Sequence, residues 1–278
     1  MNALIQTIND FKLPDGKFAL WWIGQNGFIL KTAWGICYFD PYLSDYAERI
    51  TKGQANEHVR IKPTLMKPEE VTHADWVFCT HDHADHIDPD GIPLIAKASP
   101  QAQFVVPECA RETMLNYGID ENRIHCLCGD DCLSFLDFDI HAIPAAHEAF
   151  DEDPEKGFPY QSFILHFDDH VLLHAGDTIP YPGQAQKVFE HKVQLALLPI
   201  NGRDDFRKSL EFEGNFTCEE AVGFGLAIQA DLCIPMHYDT FTLNTADVRD
   251  FERIATHRGL QHHIMEHGGM LLYPREES

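Results

Sequence analysis

Residues Val77 to Gly91 read VFCTHDHADHIDPDG. An apolar run gives way, within eight residues, to His81, Asp82, His83, Asp85, His86 and Asp88. Val77 to Cys79 has the character of a buried strand, and a strand end is a rigid platform that opens onto loops. His81 and His83 lie two apart on the exit, so on extended backbone they face one side. Asp85 and His86 follow after a turn and can face a second position. One short segment can therefore serve two cations. Imidazoles and carboxylates without thiolates suit Zn²⁺ or Mn²⁺, with Fe²⁺ also admitted.

Outward from this stretch the pattern recurs. IPAAH ends at His147, LLHAGD at Asp177 and CIPMH at His237, each closing an apolar run of strand length. Earlier, Phe18 to Gly24, Gly27 to Ala33 and Gly35 to Asp40 predict an antiparallel meander separated by glycine-containing turns. Trp76 to His81 and Gln103 to Glu108 follow as strands. Ser134 to Ala145, Gln161 to Phe167 and His170 to Asp177 read as a second strand set, with a hairpin turn at Phe167 to His170. Val193 to Ile200, Ala230 to His237 and Gly269 to Pro274 complete the strands. Helices are expected over 183–191, over 217–229 with Thr217 and Glu220 as a capping box, and over 245–259, capped by Thr245 or Asn244 and stopped by Gly259. Two strand sets with interspersed helices predict an α/β (α+β) protein, a four-layer αββα sandwich of two sheets. Propensity also allows a doubly wound arrangement.

The 278 residues show no internal repeat and no Pro/Gly-rich linker, so residues 1–278 are expected to form a single domain. The most loop-like segment is Asp151 to Pro159. With 44 acids against 21 bases the net charge is −23, which repels polyanions and makes a nucleic-acid partner or an anionic membrane an unfavourable expectation. No apolar run approaches the roughly 18 residues of a membrane span, and the amino terminus lacks the basic and apolar regions of a secretory signal. A cytoplasmic location is expected, where the eight cysteines stay reduced. Cys126, Cys128 and Cys132 do not have a standard zinc spacing.

Taken together, His81-Asp82-His83-Ala84-Asp85-His86, His147, Asp177 in AGDT and His237 resemble, in order and spacing, the H-x-H-x-D-H signature and remaining ligands of the metallo-β-lactamase superfamily. The resemblance runs from about Phe18 to Pro274. Asp40 in FDPYL is similar to the structural aspartate that precedes the signature. CTHDHADHIDPDGIP and CIPMHYDTF look like the branch containing L-ascorbate-6-phosphate lactonase, whereas LLPINGRDDF looks like its shorter relatives. The resemblance implies the metallo-β-lactamase fold and two divalent ions per chain. It assigns His81, His83 and His147 to one metal and Asp85, His86 and His237 to the other, with Asp177 bridging. Asp40 would orient the ligand loop.

It implies a metal-dependent, lactonase-like hydrolase acting on a small lactone, ester or amide, including a phosphorylated sugar lactone. Two cations about 3.5–4 Å apart share a water, lower its pKa and supply a metal-bound hydroxide. The chain has no G-x-S-x-G elbow, in keeping with a nucleophile that is not a side chain. Asp177 and His237 enter the catalytic set through the ions. Asp82, between two ligands, either takes a proton or is a solvated acid. Asn201 and Arg203, following a buried strand, are the substrate-binding candidates, an arginine fork suiting a carboxylate or phosphate. Arg207 and Lys208 read as surface ion-pairing residues, and Gln25 and Asn26 as plain turn chemistry before Gly27. His141, His166, His170 and His191 read as structural or surface groups. The alternative activity is a metal-dependent phosphodiesterase or nuclease of the same fold. A small-molecule substrate is expected, with a homo-oligomer as a further possibility.

Overall fold

Alternate residues of the first strand enter two different cores. The computed structural model describes residues 2–275, so residue 1 and residues 276–278 of the expected domain lie outside the described part. In β1 (Phe18–Gly24), Phe18, Leu20 and Trp22 point between two sheets, where Phe18 meets Phe167 with ring centroids 5.3 Å apart. Ala19, Trp21 and Ile23 point the other way, onto Ile5 and Ile8 of α1 (Ala3–Asp10) and Ile92 and Ile95 of α3 (Ile92–Ala98). The period-two alternation of a strand thus divides one apolar run between two layers. Each large side chain fully buried in this way contributes about 1.5–3 kcal/mol.

The first sheet has the order β13-β1-β2-β3-β4-β5-β6. β1, β2 (Gly27–Lys31) and β3 (Ile36–Phe39) form the expected antiparallel meander, and β13 (Met270–Tyr273) pairs antiparallel with β1. β4 (Trp76–Phe78), β5 (Gln103–Pro107) and β6 (Ile124–Leu127) then add in parallel, with α3 and α4 (Arg111–Asn116) in the crossovers. The second sheet has the order β12-β11-β10-β9-β8-β7. β7 (Cys132–Ser134), β8 (Phe138–Pro144), β9 (Gln161–Phe167) and β10 (His170–His174) are antiparallel neighbours. β11 (Leu195–Pro199) and β12 (Leu232–Met236) continue in parallel. Their crossovers carry α5 (Gln184–Phe189), α6 (Asp205–Ser209) and α7 (Cys218–Ala227), and α8 (Val248–Arg258) follows β12. Two mixed sheets with flanking helices make the αββα sandwich and exclude one doubly wound sheet.

Several expectations need correction. The single strand expected over Ser134 to Ala145 is instead the second strand of a β7–β8 hairpin, and β7 begins at Cys132. β6 and α1 were not foreseen. α8 is capped by Asp247, whose side chain accepts from Arg249 N, and not by Thr245 or Asn244; Gly259 does end it, at φ +73°. The capping box of α7 forms as read, with Thr217 accepting from Glu220 N and Glu220 accepting from Thr217 N.

Topology fixes where the chemistry sits. β1 runs parallel to β3, so the β1–β2 turn and the exits of β3 and β4 share one end of the first sheet. β8, β10, β11 and β12 also run in one direction and leave at one end of the second. These two ends meet along a single rim.

Candidate metal centre

His81 and His86 each present one bare nitrogen to that rim, and the reason lies behind them. Asp40 follows β3 and is fully buried. Its Oδ2 takes the Nδ1–H of His86 at 2.8 Å and the hydroxyl of Thr80 at 2.7 Å, while its Oδ1 accepts from Thr80 N at 2.8 Å. With its own proton given to Asp40, Thr80 Oγ1 accepts from His81 Nδ1 at 3.1 Å. Both imidazoles therefore carry their protons on Nδ1, and Nε2 of each is buried without a hydrogen-bond partner. His147 is set the same way, Nδ1 bonding the carbonyl of Gly214 at 2.9 Å.

The bare nitrogens converge with carboxylates. Ligand atoms of His81, His83 and His147 lie within 4.8 Å of one another, as do those of His81, His86 and Asp177 and those of Asp85, His86 and His237. Asp177 joins the groups: Oδ2 is 3.2 Å from His237 Nε2 and 3.6 Å from His147 Nε2, and Oδ1 is 3.5 Å from His86 Nε2. Asp85 Oδ2 stands 3.8 Å from Nε2 of both His86 and His237. Gly176 lets Asp177 enter, because a Cβ there would come within 2.9 Å of both Gln161 O and Thr80 Cβ. Gln25, Asp40, Glu148, His237 and Asp239 all hold positive φ around the rim. Such backbone costs of order 1–3 kcal/mol per residue and collects where side chains must be aimed.

The electrostatics of the cluster suit a cation. Burial, then His86 and His83, pushes His81 far below the ordinary imidazole range, and burial likewise lowers His83 and His147. Neutral imidazoles are the metal-binding form. His86 goes the other way: burial opposes protonation, but Asp177, Asp40 and Asp85 raise it well above the ordinary value. Burial would raise Asp177, yet His237 and His86 hold its carboxyl well below the usual range. Among the described residues neither Asp40, Asp85 nor Asp177 pairs with Lys or Arg. Buried carboxylates facing partnerless ring nitrogens fit divalent ions, and a nitrogen–oxygen donor set without thiolate fits the borderline and harder ones.

Other residues sit differently from the sequence reading. Gln25 and Asn26 hold the carboxylates of the cluster from behind as well as making the turn: Gln25 Nε2 donates to Asp85 Oδ2 at 2.7 Å, and Asn26 Nδ2 donates to Asp177 Oδ1 at 2.6 Å. The signal for them was the meander, which puts the β1–β2 turn at the same end as the exit of β3. Glu213 was not foreseen either. Its Oε2 is buried, has no hydrogen-bond partner and stands 3.2 Å from Nε2 of both His83 and His147. Arg203 does not line the pocket; its fork grips Glu220 through two bonds of 2.6 Å and it donates to Asn215 O. Asn201 is buried between Asn244 and Asn215 and also lies outside the pocket wall. Arg207 pairs with Asp204 as expected, whereas Lys208 pairs with Glu148. Asp82 lines the pocket rim with Oδ2 held by Thr113 Oγ1 at 2.6 Å. Asp88 is a loop pin, accepting from Leu43 N, Ser44 N and Ser44 Oγ. His174 is structural, bonding Asn26 O and stacking on Phe39.

The groups open into a cavity of about 330 Å³ walled by α2 (Tyr46–Ile50), His58 and residues 211–213. Residues 37–238 match the beta-lactamase superfamily domain. The chain belongs to the metallo-β-lactamase superfamily. It is 21% identical, over 99% of its length and 86% of the relative's, to the probable L-ascorbate-6-phosphate lactonase UlaG of Escherichia coli O127:H6. Its fold is that of the metallo hydrolase Igni18 from Ignicoccus hospitalis, at TM-score 0.69 and 22% identity over 94% of this chain and all of that one. The isothiocyanate hydrolase from Delia radicum gut bacteria gives TM-score 0.70 at 14% identity over 92% and 98%. This metallo-β-lactamase chain is a metal-dependent hydrolase of the superfamily, with His/Asp clusters typical of its two-ion centres. No described helix is long and apolar enough to cross a membrane.

Proposed function

We propose that the chain hydrolyses a small, uncharged lactone, ester or amide at a centre of two divalent ions, zinc or manganese. The observation that carries this reading is the pair of ligand groups hinged on Asp177. His81, His83 and His147 would hold one ion and Asp85, His86 and His237 the other, with Glu213 reaching the first. Bound there, such ions supply Lewis acidity and a nucleophilic water at neutral pH. The protein's part is orientation: Asn26 fixes Asp177, Gln25 fixes Asp85, and the Thr80–Asp40 relay fixes two imidazoles.

The wall argues for an uncharged substrate. It carries Asp82, Glu211 and Glu213 besides the ligands and no Lys or Arg among the described residues. Without an arginine fork or lysine, a phosphate on the substrate has no side chain to pair with. A lactonase relative supports the ester-like electrophile, and the lack of Lys and Arg in the lining leaves a second, phosphate-bearing group without a side-chain anchor away from the ions. His58 lines the pocket with a buried, partnerless Nδ1, and burial lowers its pKa, so it would first take the proton released by the attacking water and then pass it to the leaving group. Asp82 stays tied to Thr113. The eight free thiols support a reducing, cytoplasmic setting.

The test is a matched panel of lactones, esters and amides, each with and without a phosphate, assayed on protein of measured metal content. Turnover of the neutral members above their phosphorylated partners is expected. Preference for the phosphorylated members or for a phosphodiester would overturn the reading.

A further inference from the structure

The outer face of the second sheet carries a separate group of imidazoles. In β8, Phe138 and Ile140 face the inter-sheet core, which turns His141 outward. In β9, Phe163, Leu165 and Phe167 face the core, which turns His166 outward. His141 pairs with Ile164 and Asp139 with His166, so the two histidines are diagonal neighbours on one face. His191, just beyond α5, closes over them. Ring centroids are 5.0 Å apart for His141 and His166, 4.7 Å for His141 and His191, and 5.2 Å for His166 and His191.

We propose that His141, His166 and His191 form a second, mononuclear metal site for a borderline divalent cation such as Zn²⁺. Their ligand atoms lie within 4.8 Å of one another, the same closeness that groups His81, His83 and His147. His166 Nε2 and His191 Nδ1 are 3.0 Å apart. Two nitrogens on one tetrahedral zinc, each about 2.0–2.1 Å from it, sit ~3.3 Å apart, so a cation replaces their shared proton with little movement. All three donors are imidazoles, which suits Zn²⁺ and disfavours Mg²⁺ or Ca²⁺. His141 and His191 line a cavity of about 220 Å³ that shares no lining residue with the catalytic pocket. Nearby Asp130 is already paired with Lys187 at 2.6 Å, so it is not drawn into the set. Cys132, directly opposite His141 on β7, sits with Sγ 3.5 Å from His141 Nε2 at the edge of the group. An ion here cross-links β8 and β9 to the end of α5.

The test is a zinc titration of the chelator-treated full chain, read by calorimetry and by elemental analysis after removal of free ion. Wild type should take up one equivalent more than His166→Ala or His191→Ala, with tight binding at near-stoichiometric zinc. A variant altered in the catalytic pocket, Asp177→Ala, should keep that equivalent relative to Asp177→Ala/His166→Ala, and zinc should raise its melting temperature by more than that of the double variant. This difference of one holds whether or not the catalytic pocket fills, so it stands apart from the hydrolase reading. Equal uptake by wild type and both histidine variants, or an extra ion bound only at large excess, would overturn the site.

Discussion

Asp40 touches no expected ion position, yet it determines which nitrogens are bare. It accepts from Thr80 N on one oxygen and from Thr80 Oγ1 and His86 Nδ1 on the other. In Asp40→Asn the amide NH₂ must face one of those donors, whichever way it is turned. Metal affinity is expected to fall about 10–100-fold, measured by competition with a coloured chelator, because outer partners of this kind hold ligand orientation. Unchanged affinity would remove the relay from the account. Glu213→Gln keeps the shape of a side chain 3.2 Å from His83 and His147 but removes its charge. One of the two ions should weaken by about tenfold while the other is retained, about 1.4 kcal/mol. His58→Gln should lower kcat at unchanged metal content, whereas Asp82→Asn should change it little; the reverse order would return the proton role to Asp82. The cluster was legible because four of the candidate ligands fall in six consecutive residues, whereas their division between two ions came from the resemblance and not from spacing. Gln25 and Asn26 were misjudged because their partners lie 60 and 151 positions away. Arg203 was right in chemistry and wrong in partner: its fork does bind a carboxylate, that of the α7 capping box.

At the scale of elements, α1 is joined to the first sheet by His73. Its Nε2 accepts the Tyr38 hydroxyl at 2.7 Å and its Nδ1 donates to Asn9 Oδ1 at 2.6 Å. Burial, with a smaller push from Lys31, holds this imidazole down at about 4. A folded pKa below the unfolded one, about 6.5, means that the unfolded chain binds more protons between those values. The stabilisation is complete above about pH 6.5 and is lost as pH falls toward 4. The depression corresponds to roughly 3.4 kcal/mol, and partial exposure reduces that to about 2 kcal/mol. Denaturant melts of wild type and His73→Gln across this range should show the variant with the shallower loss, and parallel curves would exclude the link. Long alternating strands such as β1, β2 and β9 were readable from their period. β6 was not, since IHCL is four residues inside a run of cysteines, and α1 was not, since its helical stripe of Ile5 and Ile8 is brief.

Across the whole molecule the two sheets act as one clamp, and its charge decides how the protein responds to losing metal. Asp40 comes from the first sheet and Asp177 from the second, with His86 between them. The fold therefore closes on concentrated negative charge in a chain already at −23. Without ions, the proton on His86 takes over part of the neutralisation, which is why its pKa is raised. A raised folded pKa gives stability that is full below the unfolded value near 6.5 and disappears as pH rises through the folded value. His81, His83 and His147 are lowered, so their contributions change only as pH falls below the ordinary imidazole range. Above it, His86 is the shifted imidazole of the site that still titrates. The loaded protein runs opposite in sign, because cations compete better for ligands that have shed their protons. Ions at a thousand times their dissociation constant add about 4 kcal/mol. Chelation should therefore lower the melting temperature at pH 7, and by more once the pH has risen through the folded value of His86, where neither ion nor proton offsets Asp40, Asp85 and Asp177. Thermal melts of loaded and chelator-treated chain in steps upward from pH 7 measure that gap. A gap that stays constant or narrows would mean that His86 does not stand in for the cation, and that the clamp is held shut by packing alone.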